Sequence, residues 1–279
     1  MSETLLLSKQ DAAGANREKT LTLVRFRASG FEIKPNRWVS VGAFVIILLI
    51  WETVSRLGFV SPLFLPPPSK LWATFLDLLG DGQLWLNVSA SLKRILIGWL
   101  LGASAGIAIG LLLGISSIAR SIVSPIVSAI FPIPKIALLP LFILWLGIGE
   151  TSKIATIGFG VFFPTVISTY ASVDQVPQNL IRMAQSFGLP LRTIILRVLL
   201  PGALPGMLAG ARISSSIALL LVVSAEMIGA QHGIGAFVLM AGNLMQTDQL
   251  LVGVLMLSVL GLTFATILGR LERWLLRWR

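Results

Sequence analysis

Six stretches of this chain are apolar for long enough to cross a lipid bilayer, which rules out an ordinary soluble core. A hydrocarbon layer about 30 Å thick takes roughly 20 apolar helical residues to cross. Residues 39–58, 92–115, 121–146, 153–172, 203–225 and 249–270 all meet that length. Lipid offers the backbone no hydrogen-bond partner, so each run is expected to be a helix. The fold class is therefore all-α, a polytopic membrane protein with about six transmembrane helices. Composition agrees, with 55% hydrophobic and 12% charged residues and a mean hydropathy of +0.88.

Six spans put both termini on one side, and the basic residues say which. Fifteen of the 22 fall on the side of the termini: Lys9, Arg17, Lys19, Arg25, Arg27, Lys34, Arg37, Arg120, Arg182, Arg192, Arg197, Arg270, Arg273, Arg277 and Arg279. Five fall on the other side or at its span ends: Arg56, Lys70, Lys93, Arg94 and Lys153. Cytoplasmic loops carry the excess of Lys and Arg, so both termini are expected in the cytoplasm. The net charge of +10 is explained by this distribution, and nucleic acid is not needed as a partner. Residues 1–37 are expected to be a cytoplasmic tail without a cleavable signal, and residues 273–279 a second such tail.

Several function classes drop out. Cysteine is absent and His232 is the single histidine, so thiolate chemistry and a His-rich metal site are excluded. No G-x-x-x-x-G-K-S/T run exists, and "GFG" at 158–160 lies in an apolar span where close helix packing is its expected role. The in-span acids Glu52 and Glu226 stand without a paired partner, so no catalytic constellation is visible. The chain is expected to be non-catalytic and to bind no cofactor or metal itself.

The longer joint, 59–91, holds three consecutive prolines at 66–68, after which Ser69 is expected to cap a short amphipathic helix at the outer interface carrying Leu71, Trp72, Phe75 and Leu78. Gly98, Gly102, Gly106, Gly110 and Gly114 form a ridge in the second span, suited to close helix packing within the subunit or at a dimer seam. Lys135, about fourteen residues into the third span among Pro132, Pro134 and Pro140, and Arg212, in the fifth, are candidates for lining the path of an anionic solute. The alternative for each is a bond to carbonyls or to an acid such as Glu226. Ser214, Ser215 and Ser216 place hydroxyls on successive helix faces. Glycines 229, 233 and 235 suggest a re-entrant outer loop, in which His232 is either a surface group or pH-sensitive.

The most unusual segment is "LIRMAQSFGLPLRTIILRVLLPGALP", residues 180–205, on the basic side between spans four and five. Pro177 suits a first helical turn and Gly188 a helix end, giving a helix of about eleven residues, or roughly 16 Å. Leu180, Ile181, Met183, Ala184 and Phe187 share one face, and Pro190 to Pro201 is expected to hold a second short helix that ends before span five. Such an element is either an interfacial anchor or a knob for a cytoplasmic partner.

This loop resembles that of the membrane subunits of bacterial ABC importers, whose motif is E-A-A-x-x-x-G, nine residues, then I-x-L-P. Here the series is Arg182, Met183, Ala184, three residues, Gly188, nine residues, Val198, Leu199, Leu200 and Pro201; Arg182 replaces the usual acid. "SPLFLPPP", "ALLPLFILWLGIGETSKI", "AQSFG", "LPGALPGMLAGARIS" and "AEMIGA" resemble the sulfonate, taurine and nitrate branch, over residues 38–272. The resemblance implies a type I importer permease fold in a bacterial inner membrane. It implies a second copy of the permease, two cytoplasmic ATPase subunits that hold ATP and magnesium, and a periplasmic solute-binding protein. The loop at about 174–201 would be the coupling helix, with Pro177, Arg182, Met183, Ala184, Gln185, Ser186, Phe187, Gly188 and Leu189 as its docking residues. A stand-alone secondary transporter or channel is the competing expectation, although no inverted repeat is visible.

Overall fold

Inside lipid the backbone must satisfy its own hydrogen bonds, and in the computed structural model, which describes residues 37–278, every regular element is helical. These are α1 (Arg37–Arg56), α2 (Pro68–Gly80), α3 (Gln83–Ile115), α4 (Ser117–Ile130), a 3-10 turn (Lys135–Leu138), α5 (Leu139–Leu146) and α6 (Glu150–Asp174). There follow α7 (Gln178–Ser186), α8 (Leu191–Ile194), a π turn (Ile195–Leu199), α9 (Leu200–Met227), α10 (Ile234–Asn243) and α11 (Thr247–Leu275). The tail expected at residues 1–37 lies outside the described residues except for Arg37, as does Arg279 of the C-terminal tail. The chain divides into two units, Met1–Ile50 and Trp51–Arg279. Of the first, residues 37–50 are described and belong to α1.

Among the described residues five helical stretches are long and apolar enough to span, and the pair α4 and α5 reaches that length only when taken together across a 90° bend. In the second unit α6 is the central helix. One side of it receives the glycine ridge of α3, and residue numbers rise together along the contact, so the two helices run parallel. A Cβ on Gly106 would come 2.7 Å from Thr165 Cβ, one on Gly110 2.6 Å from Thr169 Cβ, and one on Gly102 would overlap the Gly158 carbonyl. Without a hydrophobic drive in lipid, such backbone proximity is what holds helices together. The ridge therefore packs within the subunit. On the other side of α6, α9 runs antiparallel, with Gly202 against Val176, Gly206 against Ser172 and Gly210 against Ser168. Gly160 of the "GFG" run meets Leu221 of α9. α11 closes the bundle, placing Phe264 edge-on to Trp99 at 5.5 Å.

Four expectations need correction. The second span begins at Gln83, so the joint before it is shorter and Lys93 and Arg94 lie within a helix. The third span is not continuous. Pro132 and Pro134 withdraw the N–H groups that would have bonded the carbonyls of Ser128 and Ile130, and the chain turns there. Lys135, at the break rather than deep in a helix, supplies the missing donor: its Nζ bonds the carbonyls of Ile130 (3.0 Å), Ile133 (2.8 Å) and Phe131. Pro201 does not end a helix either. The π turn just before it widens the spiral at the point where the proline lacks its N–H, and the helix runs unbroken from Leu191 to Met227. Finally, Ser69 does not cap α2, which starts at Pro68. Its N–H (3.1 Å) and hydroxyl (2.7 Å) go to Glu52, which also pairs with Arg56, so Glu52 is not unpartnered.

Filling the ridge should unseat α3 from α6. Gly106→Leu is expected to lower the melting temperature of the detergent-extracted protein, at a cost of about 1–3 kcal/mol or more. Gly80→Ala, in open space, should leave it unchanged.

Candidate functional site

The loop between α6 and α9 is built on a firm root. Arg120 at the start of α4 pairs with Asp174 at the end of α6, bonds the Leu113 carbonyl at 3.2 Å and lies 4.6 Å over the Tyr170 ring. Pro177 then takes the N-cap position, with a fixed φ of −58° that leads the chain into α7. The helix is nine residues long, shorter than expected by one at each end, and it finishes in a Schellman arrangement. The Gly188 N–H bonds the Gln185 carbonyl at 2.9 Å and the Leu189 N–H bonds that of Ala184 at 3.3 Å. This needs a left-handed residue, and Gly188 supplies it at φ +68°.

The apolar face of α7 splits in two. Ile181 packs against Val173, Val176, Leu199, Ala203 and Met207, and Ala184 is buried. Leu180, Met183 and Phe187 instead point outward, Phe187 with 74% of its surface exposed. Pro177, Arg182, Gln185, Ser186, Gly188 and Leu189 are exposed beside them. Arg182 makes no ion pair among the described residues.

The residues considered for a path are not brought together. Arg212 pairs with Glu272 of α11, not with Glu226. Ser214 is buried, takes the Trp99 Nε1 proton at 3.0 Å and donates to the Ala211 carbonyl, so it ties α3 to α9. Ser215 bonds back to Arg212 O at 2.7 Å, and Ser216 is exposed. Lys135 serves the helix break already described.

Glu226 has a different partner. Arg94, with a side chain only 3% exposed, directs Nη1 to Glu226 Oε1 at 2.7 Å and to the His232 carbonyl at 2.7 Å. Its other edge forms a two-pronged contact with Glu150 at the start of α6, Nε to Oε2 at 2.7 Å and Nη2 to Oε1 at 2.6 Å. The Glu226 carboxylate also accepts from Ser91 Oγ at 2.8 Å and from the Gly235 N–H at 2.9 Å. Ser91 Oγ in turn accepts from Ile234 N–H, and Asn87 Oδ1 from Gly233 N–H, both at 2.9 Å. These bonds seal the loop before α10 onto α3, α6 and α9. A Cβ on Gly233, whose φ is +139°, would strike the Glu226 carboxyl group. His232 is an exposed side chain, and only its carbonyl enters the network. Arg94 had been placed at a span end; the signal for its role was that Arg94, Glu150, Lys153 and Glu226 all lie toward one end of their spans.

Comparison with known proteins fits this architecture. Residues 106–278 match the family described as binding-protein-dependent transport system inner membrane component. The chain belongs to that family. It is 38% identical to the taurine transport system permease protein TauC of Escherichia coli (strain K12), over 86% of this chain and 89% of that one. It is 34% identical to SsuC of Bacillus subtilis (strain 168), named for aliphatic sulfonates transport, over 84% and 85%. The riboflavin transport system permease protein RibX of Chloroflexus aurantiacus is 30% identical over 94% and 98%. Among solved structures, an inward-facing MetNI methionine ABC transporter has the same fold, with a TM-score of 0.60 at 23% identity over 72% of this chain and 97% of that one. The chain is thus a multi-pass permease subunit of an ABC importer, and the stand-alone transporter is not favoured.

Breaking the buried pair should cost far more than breaking its exposed edge. Glu226→Ala is expected to destabilise the permease by about 3–5 kcal/mol, because Arg94 is left buried without its partner. Glu150→Ala, half exposed, should cost about 1 kcal/mol or less. Thermal unfolding in detergent, with protease cleavage at residues 228–246 as a second readout, checks both.

Proposed function

We propose that this permease carries a small organic anion, a sulfonate or a related acid, into the cell, and that α7 is where an ATPase drives it. The names of the relatives support the solute class: two of the three refer to taurine or aliphatic sulfonates. The observation that carries the coupling role is the triplet Leu180, Met183 and Phe187, held outward on a short, stapled helix whose other apolar residues are already buried. A helix presenting anchors at i, i+3 and i+7 suits a groove on another protein.

In this reading the α7 end, rich in arginine, faces the cytoplasm together with both termini, and the α10 end faces the periplasm. Two cytoplasmic ATPase subunits hold ATP and magnesium. Their closure pushes on α7 and shifts the bundle between inward- and outward-open states. A second copy of the permease completes the path, and a periplasmic binding protein delivers the solute. The chain itself catalyses nothing and holds no cofactor. Of the candidates for the path, Arg212 and Ser216 are exposed on α9 alongside Ile213 and Leu220. The capping bonds of Lys135 suggest that it holds the broken span in shape.

Phe187→Asp tests this. The variant should fold, since the ring touches little of its own chain, yet recover at least about tenfold less ATPase subunit on co-purification, as hot-spot loss predicts, and lose ATP-dependent uptake of taurine. Full uptake by the variant would defeat the coupling role.

A further inference from the structure

The two sides of Arg94 are not equivalent. Toward Glu226 everything is buried and each oxygen is bonded. Toward Glu150 the guanidinium offers a flat two-donor fork, Nε and Nη2, to a carboxylate whose side chain is 54% exposed. Glu150 follows the Gly147-Ile148-Gly149 joint, in which Gly147 has φ +81°, neither glycine has an atom within 4 Å of where a Cβ would sit, and Ile148 is exposed. Little packing holds this corner, so the carboxylate can swing away without dismantling the helices.

What its departure would leave behind is set by charge. Lys153, one turn further along α6, is buried, donates its Nζ to the Gly149 carbonyl at 3.0 Å and lies within electrostatic reach of Arg94, Glu150 and Glu226. The buried cations Arg94 and Lys153 face the acids Glu150 and Glu226, and Lys93, exposed to solvent, also lies within electrostatic reach of Glu150. With Glu150 gone, Arg94 and Lys153 face Glu226 alone, an excess of positive charge at a half-exposed corner that water only partly screens. A monoanion with two oxygens in one plane restores neutrality and meets the fork with the same geometry.

We propose that the Arg94 fork, backed by Lys153, is an anion-exchange site in which a solute carboxylate or sulfonate takes the place of the Glu150 carboxylate. Glu150 is then a built-in stand-in for the solute, holding the α3–α6 corner closed until an anion competes for Arg94. A dianion overcompensates the charge and fits less well. This inference rests on the anion-importer reading, and places the recognition of charge at the end of the bundle sealed by α10.

The test uses the full permease in nanodiscs of phosphatidylcholine, which carries no net charge, titrated calorimetrically with methanesulfonate and with sulfate. Glu150→Gln, which removes the internal competitor, is expected to bind methanesulfonate at least about tenfold more tightly than the unaltered protein, and in preference to sulfate. Adding Arg94→Lys, which keeps the charge but loses the fork, should reverse that gain. Glu150→Asp, with a shorter reach, should lie between. Equal affinities for the unaltered protein and both Glu150 variants, or a gain that survives Arg94→Lys, would overturn the site. Failure here with ATPase co-purification and ATP-dependent uptake intact leaves the importer reading standing. Anion binding in a protein that shows no ATP-dependent uptake of an anion would remove that reading and keep the site.

Discussion

Close backbone approach along α6 is the constraint on which the rest of this permease depends. Lipid chains are as apolar as leucine, so helices in a bilayer gain nothing by merely hiding apolar surface from it. They adhere where surfaces interlock, and here α3 brings five glycines, one per turn, against Ile157, Gly158, Thr165, Thr169 and Val173 of α6. α9 takes the opposite side of α6 through Gly202, Gly206 and Gly210. A central helix gripped on two sides gives the other features fixed positions: Arg94 reaches Glu150 because α3 and α6 run parallel, and Glu226 because α9 runs back.

The same scaffold explains how polar chemistry is confined to the ends. At one end the Arg120–Asp174 pair braces the root of α7; at the other, the Arg94 cluster fastens the loop that leads to α10. Between them, several hydroxyls bond to their own helices, as Thr165 does to Val161 and Ser172 to Ser168. The division leaves polar contacts at the ends and tight apolar seams in the middle.

The broken third span shows how local rules interact. Prolines at 132 and 134 each suggested a loosened helix, and Lys135 a costly buried charge. Together they form one device, because the lysine bonds three carbonyls at the turn the prolines make, among them that of Ile130, which Pro134 cannot serve. Lys135 takes the carbonyl bonds that were the alternative to lining a path, and the three residues are intelligible only as a set. Likewise Pro201, a helix breaker by its own chemistry, is carried inside a continuous helix because a π turn precedes it.

By itself the sequence determined the helical class, the number of spans, the glycine ridge, the end of α7 at Gly188 and the family, since each depends on periodicity, span length or a residue with special backbone freedom. Only the tertiary structure decided which faces met. It turned Ile181 and Ala184 inward while leaving Met183 and Phe187 out, although all four lie on one apolar face. It also sent Arg212 to Glu272 and Arg94 to Glu150 and Glu226, pairings 56 to 132 residues apart in the chain. Charge partners are chosen by which helices run side by side and in which direction, and that choice is made by packing along α6, which no local pattern records.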